Sequence, residues 1–320
     1  MTSDLLIKKI FQDQQLENVT QVVKLSGGRV NPVYIVNDQY VIKFDALKRG
    51  FNKESFILKT FKKLPLPKLL AHDASLRLIP QEYIIQTKLE GENLSFVWPN
   101  LNKLDQENIF KNLITILKMF HARSYGFYGD IFSKSQQFKK WSNFFAFQYK
   151  KAVGLARQTG LINKSLFRSI DSFYNKNLIF LDQPTIKPCF CHNDLHFANI
   201  LVNRNKISGI LDFDLALAAP FDFEFNILCC FFRQPSFFVA DELKTKYSQP
   251  LKHCFAWLKK YYQELYAIPN IRERMCLYSM VGDLEMLWLC GKFKYGPDVK
   301  KIILNRLKQT VQKNIYSPLV

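Results

Sequence analysis

The stretch that most constrains the fold is Cys-His-Asn-Asp-Leu-His-Phe-Ala-Asn-Ile-Leu-Val at positions 191–202. It is followed ten residues later by Asp-Phe-Asp at positions 212–214. Between Asn199 and Asp212, a short apolar stretch, a polar turn and a second apolar stretch read as a β-hairpin. Because a hairpin brings its two ends together, we expect Asn199 and Asp212 at the same rim. An amide oxygen beside a carboxylate suits Mg2+, which prefers hard oxygen ligands and keeps part of its water shell.

Asp194 lies five residues before Asn199 and eighteen residues before Asp212. Its place on the loop that precedes the hairpin suits a group that accepts a proton from a hydroxyl. A proton acceptor together with metal-binding oxygens is the apparatus of phosphoryl transfer. The alternative is an ordinary strand–turn–strand segment with surface Asp and Asn side chains. The combination of all three side chains at these separations favours the catalytic interpretation.

The central motif resembles a family of small-molecule kinases. Protein kinases read H-R-D, four residues and Asn, and then D-F-G, whereas this chain has His-Asn-Asp at 192–194 and Asp-Phe-Asp at 212–214. It more closely resembles the aminoglycoside phosphotransferase and choline kinase superfamily, which reads H-G-D-L-H-x-x-N-I-L or H-N-D-L-x-x-x-N and then I-D-F/W. The resemblance implies ATP as the phosphoryl donor, Asp194 as the catalytic residue, and Asn199 and Asp212 as Mg2+ ligands.

The same resemblance implies an α+β, two-lobed protein-kinase-like fold. Its small N-terminal lobe has an antiparallel sheet with one helix, and its larger C-terminal lobe is mainly helical. We therefore expect a nucleotide-binding lobe at residues 1–89 and a catalytic and substrate-binding lobe at residues 90–320. Hydrophobic periodicity predicts helices at residues 1–20, 104–121, 251–266, 272–290 and 297–311.

Lys43 lies on a predicted strand, residues 40–44, among apolar neighbours. A lysine in such a run must reach solvent or meet an anion. Glu54, in a predicted helix eleven residues later, is the candidate partner; the alternative is that Glu54 shares a solvated helix face with Lys53 and Lys59. Protein kinases pair a strand lysine with a helix glutamate. The resemblance implies that Lys43 pairs with Glu54 and reaches the ATP phosphates.

Two further segments are candidates for binding the nucleotide. Gly27 and Gly28 lie in a predicted turn, where backbone amides could approach phosphate oxygens without a side chain intervening. A plain hairpin turn would use the same residues, but the superfamily often shows G-G-x-x-N here, which favours the phosphate role. The apolar strand that ends at Gln86, Thr87 and Lys88 resembles the hinge between two kinase lobes, where backbone groups would hold the adenine edge.

Other polar residues are expected to support the motif. His192 belongs to the motif itself, and His196 is expected to hydrogen-bond the loop. Asp222 falls where the superfamily has P-x-x-D-L-A, and the resemblance implies that it holds the catalytic loop in place by hydrogen bonds. Asp214 is either a further metal contact or a loop residue. His121, at the end of a predicted helix, is expected to be structural.

Composition bounds the partners and the compartment. Of the net charge of +18, +6 lies in residues 1–89 and +12 in the remainder. A basic surface suits nucleic acid or a polyanion such as ATP, but no nucleic-acid-binding module is recognisable, so no nucleic-acid partner is expected. Apolar runs are too short for a membrane span, and the N-terminus lacks the order of a secretory signal. We therefore expect a cytoplasmic protein.

The cysteines are expected to be buried thiols. The chain has seven, none in a C-x-x-C pair, and its five histidines are not spaced with them. In a reducing cytosol, buried thiols behave as small hydrophobic side chains. Sequence spacing therefore predicts no zinc site.

The predicted function is ATP- and Mg2+-dependent transfer of the γ-phosphoryl group to a hydroxyl of a small molecule. Candidate acceptors are amino alcohols such as choline, amino sugars and aminoglycosides. A cationic acceptor would want carboxylates, such as Asp283 or Glu285, or aromatic faces. The candidate aromatic residues are Trp257, Tyr261, Tyr262, Tyr278 and Trp288. The alternatives are a catalytically weak pseudokinase that serves as a nucleotide-binding scaffold, and a protein kinase, which the absence of D-F-G and A-P-E disfavours.

Overall fold

The structure is a computed structural model that describes residues 3–25, 31–46, 48–182, 185–292 and 297–313. The chain divides into two units. The first unit comprises Met1–Val97 and Phe197–Asp214, and the second comprises Trp98–His196 and Leu215–Val320.

The first unit contains a five-stranded antiparallel sheet in the order β1-β2-β3-β5-β4. The strands are β1 (Val22–Lys24), β2 (Val33–Val36), β3 (Tyr40–Phe44), β4 (Leu69–Asp73) and β5 (Tyr83–Thr87). On β3, Ile42 and Phe44 are buried in the core while Lys43, between them, is only partly buried. This period-2 alternation turns Lys43 away from the core.

Two helices accompany this sheet, α1 (Ser3–Asp13) and α2 (Asn52–Thr60). Ile7, Ile10 and Phe11 of α1 pack into the same buried cluster as Ile42 and Phe44. The prediction of one helix over residues 1–20 was too long, because the chain leaves the helical conformation at Gln15, with φ of 53°.

The predicted hairpin is present as β10 (Ile200–Asn203) and β11 (Lys206–Ile210), which pair with each other; β10 also pairs with β6 (Glu92–Asn93) on its other side. Arg204 and Asn205 form its turn with φ of 49° and 58°. Positive φ at both central residues is the type I′ geometry that matches the twist of the two strands. Ile200 pairs with Ile210, and the Leu211 amide donates to the Asn199 carbonyl at 2.9 Å. The hairpin therefore brings the backbone of Asn199 beside the residue before Asp212.

The second unit is mainly helical. Its long helices are α4 (Lys103–His121), α5 (Trp141–Arg157), α6 (Lys164–Asn177), α7 (Phe221–Arg233), α8 (Lys252–Tyr261), α10 (Ile271–Lys292) and α11 (Pro297–Lys308). The short helices are α3 (Leu94–Val97), in the first unit, and α9 (Gln263–Tyr266). The helix predicted over 251–266 is split at Tyr262, whose buried ring packs against Phe221 and Phe225.

A small four-stranded sheet lies within the second unit in the order β8-β7-β12-β9. Its strands are β7 (Tyr128–Gly129), β8 (Gln137–Phe138), β9 (Cys189–Cys191) and β12 (Leu217–Ala219). The β9 strand runs directly into the loop that carries Asp194, and β12 runs directly into α7. Among the described residues, no helix is long and apolar enough to cross a membrane.

Candidate active site

Lys43 and Glu54 form an ion pair in the first unit, with 2.7 Å between Lys43 Nζ and Glu54 Oε1. The Glu54 side chain is only 8% exposed and that of Lys43 is 20% exposed. Burial alone would lower the pKa of Lys43, but the charge of Glu54 raises it, followed by Asp212 and Asp214, and the net pKa lies above its usual value. Lys43 is therefore a fixed cation held among three carboxylates.

Two of these carboxylates, those of Asp212 and Asp214, follow the end of β11. Asp212 adopts φ of 65°, in the left-handed region that Asp tolerates better than most residues. Lys53 Nζ donates to the Asp214 carbonyl at 3.1 Å, which ties the end of the strand to helix α2. Asn199 joins the same rim through the hydrogen bond from Leu211.

This rim suits a divalent cation. Partial desolvation raises the pKa of Asp214, the neighbouring Asp212 and Glu54 charges raise it further, and Lys43 and Arg49 lower it. Burial is thus the main cause of the raised pKa of Asp214, and the nearby carboxylates add to it. Amide and carboxylate oxygens are the hard donor set that Mg2+ prefers. Asn199, Asp212 and Asp214 therefore fit the ion.

In the predicted hinge at Gln86, Thr87 and Lys88, two backbone N–H groups already form hydrogen bonds within the protein. The Thr87 amide donates to the Lys68 carbonyl at 2.9 Å and the Lys88 amide to the Gln39 carbonyl at 2.7 Å. These two N–H groups are therefore not available to an adenine. Gln86 is buried, and its Oε1 has no hydrogen-bond partner among the described residues.

The predicted phosphate-binding glycines, Gly27 and Gly28, lie outside the described residues.

In the second unit, the loop after β9 is held by Glu224 of α7. Glu224, fully buried, accepts the amide N–H of His192 at 2.5 Å and that of Asn193 at 3.2 Å. The Asp194 amide donates to His192 Nδ1 at 3.3 Å, within the same loop. Charge-assisted bonds to two successive amides fix the backbone next to Asp194.

Asp194 remains accessible, with 28% of its side chain exposed. His196 Nε2 lies 3.8 Å from Asp194 Oδ1, too far for a direct hydrogen bond. The His196 ring packs near Phe238, with 5.3 Å between ring centroids. His196 is thus a neighbour of the Asp194 carboxylate on the same loop.

Asp222 is fully buried and paired with Arg274 of α10. Arg274 Nε and Nη2 donate to the two carboxylate oxygens of Asp222 at 2.7 and 2.8 Å, and the Tyr278 hydroxyl donates to Asp222 Oδ2 at 3.1 Å. Arg274 Nη1 also donates to the carbonyls of Phe180 and Leu181, each at 2.8 Å. Asp222 therefore joins α7 to α10, while the loop amides are bound by Glu224, two residues further along α7.

Sequence reasoning missed Glu224 and Arg274. The available signal for Glu224 was a second acidic residue in the first turn of the helix that contains Asp222. Arg274 lies 52 residues after Asp222 and directly follows Arg272 and Glu273, so its sequence neighbourhood does not distinguish it from a surface arginine.

The residues considered for a cationic acceptor are largely used elsewhere. Trp257, Tyr262 and Tyr278 are buried in the core. Asp283 is buried and forms a bidentate pair with Arg306, one bond of which is 2.9 Å. Burial raises the pKa of Glu285, and the charge of Lys151 lowers it.

The predicted site residues thus fall into two groups. Those that lie in the described part of the first unit are Lys43, Glu54, Gln86, Thr87, Lys88, Asn199 and Asp212, and the second unit contains the remaining ones. These are His192, Asp194, His196 and Asp222.

Comparison with known proteins identifies the fold. The model of the phosphotransferase enzyme family matches residues 21–258, whereas no curated protein sequence matches significantly. The structure is similar to aminoglycoside phosphotransferase APH(2'')-Ib with ADP bound, at 16% identity and a TM-score of 0.67, covering 97% of this chain and 98% of that chain. It is also similar to the gentamicin complex of APH(2'')-IIa, at 15% identity and a TM-score of 0.66, covering 100% and 98%.

A third similar structure is a thermostable mutant of aminoglycoside phosphotransferase APH(4)-Ia in a ternary complex with ADP and hygromycin B. Its identity is 15% and its TM-score 0.69, over 99% of this chain and 100% of that chain. At such identities the likeness shows the fold alone. The predicted α+β, protein-kinase-like fold is confirmed.

Proposed function

Because this chain belongs to the phosphotransferase enzyme family, we propose that it transfers the γ-phosphoryl group of ATP to a hydroxyl of a small molecule. The family accounts for a small-molecule phosphotransferase that uses a nucleotide. The donor, the reacting group and the roles of individual residues are the proposal.

The ion pair between Lys43 and Glu54, at 2.7 Å, is the observation that carries the proposal. A lysine on the third strand that is paired with a glutamate of the following helix is the arrangement with which kinases hold the α- and β-phosphates. Because the charges around it raise its pKa, Lys43 stays cationic at neutral pH. We assign it to binding the nucleotide phosphates.

Asp194 is the proposed proton acceptor. The acceptor oxygen forms a bond to the γ-phosphorus, the bond from that phosphorus to the β,γ-bridging oxygen breaks, and ADP leaves with that oxygen. The hydroxyl proton passes to the Asp194 carboxylate. Glu224 supports this role because it binds the amides of His192 and Asn193 and so orients the loop.

Asn199 and Asp212 would hold Mg2+, which would neutralise charge on the phosphates, with Asp214 as the further candidate ligand. Adenine contacts are assigned to Gln86 and to groups of Thr87 and Lys88 other than their amide N–H groups, which the sheet already uses.

The proposed acceptor is a small hydroxylated amine: an amino alcohol, an amino sugar or an aminoglycoside. Structural neighbours described as complexes with gentamicin and hygromycin B support this choice. Asp283 is not proposed as its counter-ion, because Arg306 already neutralises that carboxylate.

The test is a panel of such acceptors incubated with the full chain and Mg-ATP, with products read by phosphorus NMR. We expect one class to yield a phosphate monoester together with ADP. In Asp194→Asn, kcat should fall by about 100- to 10,000-fold, because that is the usual contribution of general-base catalysis, while nucleotide binding persists. Asp241→Asn, a substitution of a surface aspartate with 91% of its side chain exposed, is the matched control and should keep full activity. A wild-type kcat in Asp194→Asn would contradict the assignment of Asp194 as the proton acceptor.

A further inference from the structure

A cluster of metal-binding side chains lies behind the loop that carries Asp194. Cys189 and Cys191 are two residues apart on β9 and therefore project from the same face of the strand. Helix α4 ends at His121, and the chain that follows it pairs with Cys189 through an isolated bridge at Ser124. The Nε2 or Nδ1 atom of His121 and the two sulfurs all lie within 4.8 Å of one another.

A fourth donor comes from α7. Glu224 Oε2 lies 3.9 Å from His121 Nε2. Glu224 is fully buried, and His121 is its only ion-pair partner within reach in the described part of the chain. A buried carboxylate with two amide bonds but no close cation is costly. A metal ion at this point would give the carboxylate a directly bound cation.

The orientation of His121 is that of a metal ligand. Its Nδ1 lies 2.7 Å from the Tyr262 hydroxyl, while its Nε2 is buried and has no hydrogen-bond partner among the described residues. An unpaired buried nitrogen costs about 1–3 kcal/mol. A histidine that ligates a metal commonly has its other ring nitrogen fixed by such a hydrogen bond, which sets the tautomer. The free Nε2 therefore points to a missing partner.

The donors are largely shielded from solvent: Glu224 and both cysteines are buried, and 7% of the His121 side chain is exposed. The rings of Phe221, Phe225 and Tyr262 lie about the His121 ring, with centroid distances of 6.0, 6.1 and 5.9 Å. The cysteines make only weak contacts: Cys189 Sγ lies 3.3 Å from the Ala219 carbonyl, and Cys191 Sγ lies 3.7 Å from that of Pro220. A closed, dry set of donors is typical of structural metal sites and not of catalytic ones.

We propose that His121, Cys189, Cys191 and Glu224 bind one zinc ion as a structural site. Two thiolates, one imidazole and one carboxylate oxygen complete a tetrahedral set. Zinc bonds of about 2.0–2.3 Å place tetrahedral ligand atoms roughly 3.3–3.8 Å apart. The donor atoms of His121, Cys189 and Cys191, now within 4.8 Å of one another, would therefore close by roughly 1–1.5 Å, and the Glu224 oxygen, 3.9 Å from His121 Nε2, would move toward the two sulfurs as the fourth ligand. Binding releases the two thiol protons. The two thiolates and the Glu224 carboxylate together carry one more negative charge than Zn2+ balances. The amides of His192 and Asn193 already stabilise negative charge on Glu224.

This site would link metal binding to the catalytic loop. The carboxylate of Glu224 would bind the zinc ion and, at the same time, accept the hydrogen bonds from the His192 and Asn193 amides. Loss of zinc would therefore loosen the backbone next to Asp194. Sequence spacing could not indicate the site, because His121 and Glu224 lie far from the two cysteines along the chain.

The first experiment measures metal content of the full chain, produced without a metal-affinity tag, by inductively coupled plasma mass spectrometry. We expect about one zinc per chain in the wild type, and loss of that zinc in Cys189→Ser and Cys191→Ser. Cys276→Ser removes another buried thiol, on α10, and should retain the zinc. Equal zinc content in all four proteins would overturn the proposal.

A second measurement covers the case in which the serine variants fail to fold. Wild-type protein is unfolded in denaturant with a reductant and a chelator, and then refolded with Co2+, with Zn2+ or without metal. We expect thiolate-to-cobalt charge-transfer bands with the intense visible absorption of tetrahedral cobalt, and a lower Tm for the metal-free chain. The proposal is contradicted if the wild-type protein purifies without bound metal and shows none of these bands after it is refolded with Co2+. Both readouts are independent of the proposed phosphotransferase activity.

Discussion

Asn193 shows how a single backbone conformation constrains the loop that carries Asp194. Its φ of 61° lies in the left-handed region, where a β-branched side chain is strained. Its side chain donates to the Leu215 carbonyl at 3.3 Å, a long bond. The conformation, more than the hydrogen bond, therefore determines which residues are acceptable here.

We predict that Asn193→Gly keeps nearly wild-type stability, whereas Asn193→Val lowers the free energy of unfolding by about 1–3 kcal/mol, the usual cost of a strained left-handed residue. Urea unfolding of the two variants measures the difference. Glycine serves as the control because it also lacks the side-chain bond to Leu215. Equal losses in both variants would mean that the bond matters and the conformation does not.

The pKa of Lys43 depends on Glu54. Burial lowers the pKa of Lys43, and the Glu54 charge, then Asp212 and Asp214, raise it. Glu54→Gln should therefore lower the pKa of Lys43. Because the pKa in the folded wild type lies above the unfolded value, the charged lysine stabilises the fold below the unfolded pKa. This contribution disappears as the pH rises through the folded pKa, and in the variant it should disappear at a lower pH.

The measurement is a pH titration of reductively methylated lysines by carbon-13 NMR, with the Lys43 signal assigned from Lys43→Arg. Glu92→Gln replaces an exposed glutamate on β6 and should leave the Lys43 titration unchanged. A Lys43 pKa that is the same in wild type and Glu54→Gln would show that the pair contributes nothing to its ionisation.

At the scale of secondary-structure elements, the pair of Asp222 and Arg274 joins α7 to α10. Both side chains are fully buried, and Arg274 satisfies both carboxylate oxygens. Removing one partner of such a pair leaves an uncompensated buried charge, which costs about 3–5 kcal/mol. We therefore predict a loss of that size in the free energy of unfolding of Arg274→Met. Arg272→Met changes an exposed arginine two residues earlier on α10 that makes none of the Asp222 hydrogen bonds, and it should stay within about 0.5 kcal/mol of wild type. Denaturant unfolding of both variants is the measurement, and a loss below about 1 kcal/mol in Arg274→Met would contradict the prediction.

The elements that the sequence predicted are those with local signals. The hairpin of β10 and β11 has an apolar stretch, a polar turn and a second apolar stretch, all within a few residues, and Lys43 stands in a short apolar strand eleven residues before Glu54. The partners of Asp222 and of the loop amides could not be predicted. Packing between distant segments brings Arg274 and Glu224 to their partners, and the residues next to them in sequence do not indicate which groups they bind.

For the whole molecule, the family pattern predicted the fold class because it fixes an order of segments along the chain, and the model of the family accordingly spans residues 21–258. The acceptor is less accessible to prediction. Whether Trp257 or Tyr278 faces a ligand or the core depends on how complete helices pack, and both are buried. Helical spacing of aromatic residues is compatible with either outcome.

The net charge of +18 is also a property of the whole chain, since both its N-terminal and its remaining part are basic. A positive potential steers a polyanion toward the protein, and salt screens it: the Debye length falls from about 30 Å at about 0.01 M ionic strength to below about 10 Å at about 0.3 M.

We therefore predict that the KM for Mg-ATP rises several-fold over this range of ionic strength while kcat stays nearly constant, because screening slows association and leaves the bound complex largely unaffected. Adenosine is the matched control. It lacks the phosphates and carries no charge, so its inhibition constant should stay constant over the same range. Steady-state kinetics in buffers that differ only in potassium chloride measure both values. If the two constants rise together, salt acts on the protein or on the adenine contacts, and the excess charge has no part in recruiting the nucleotide.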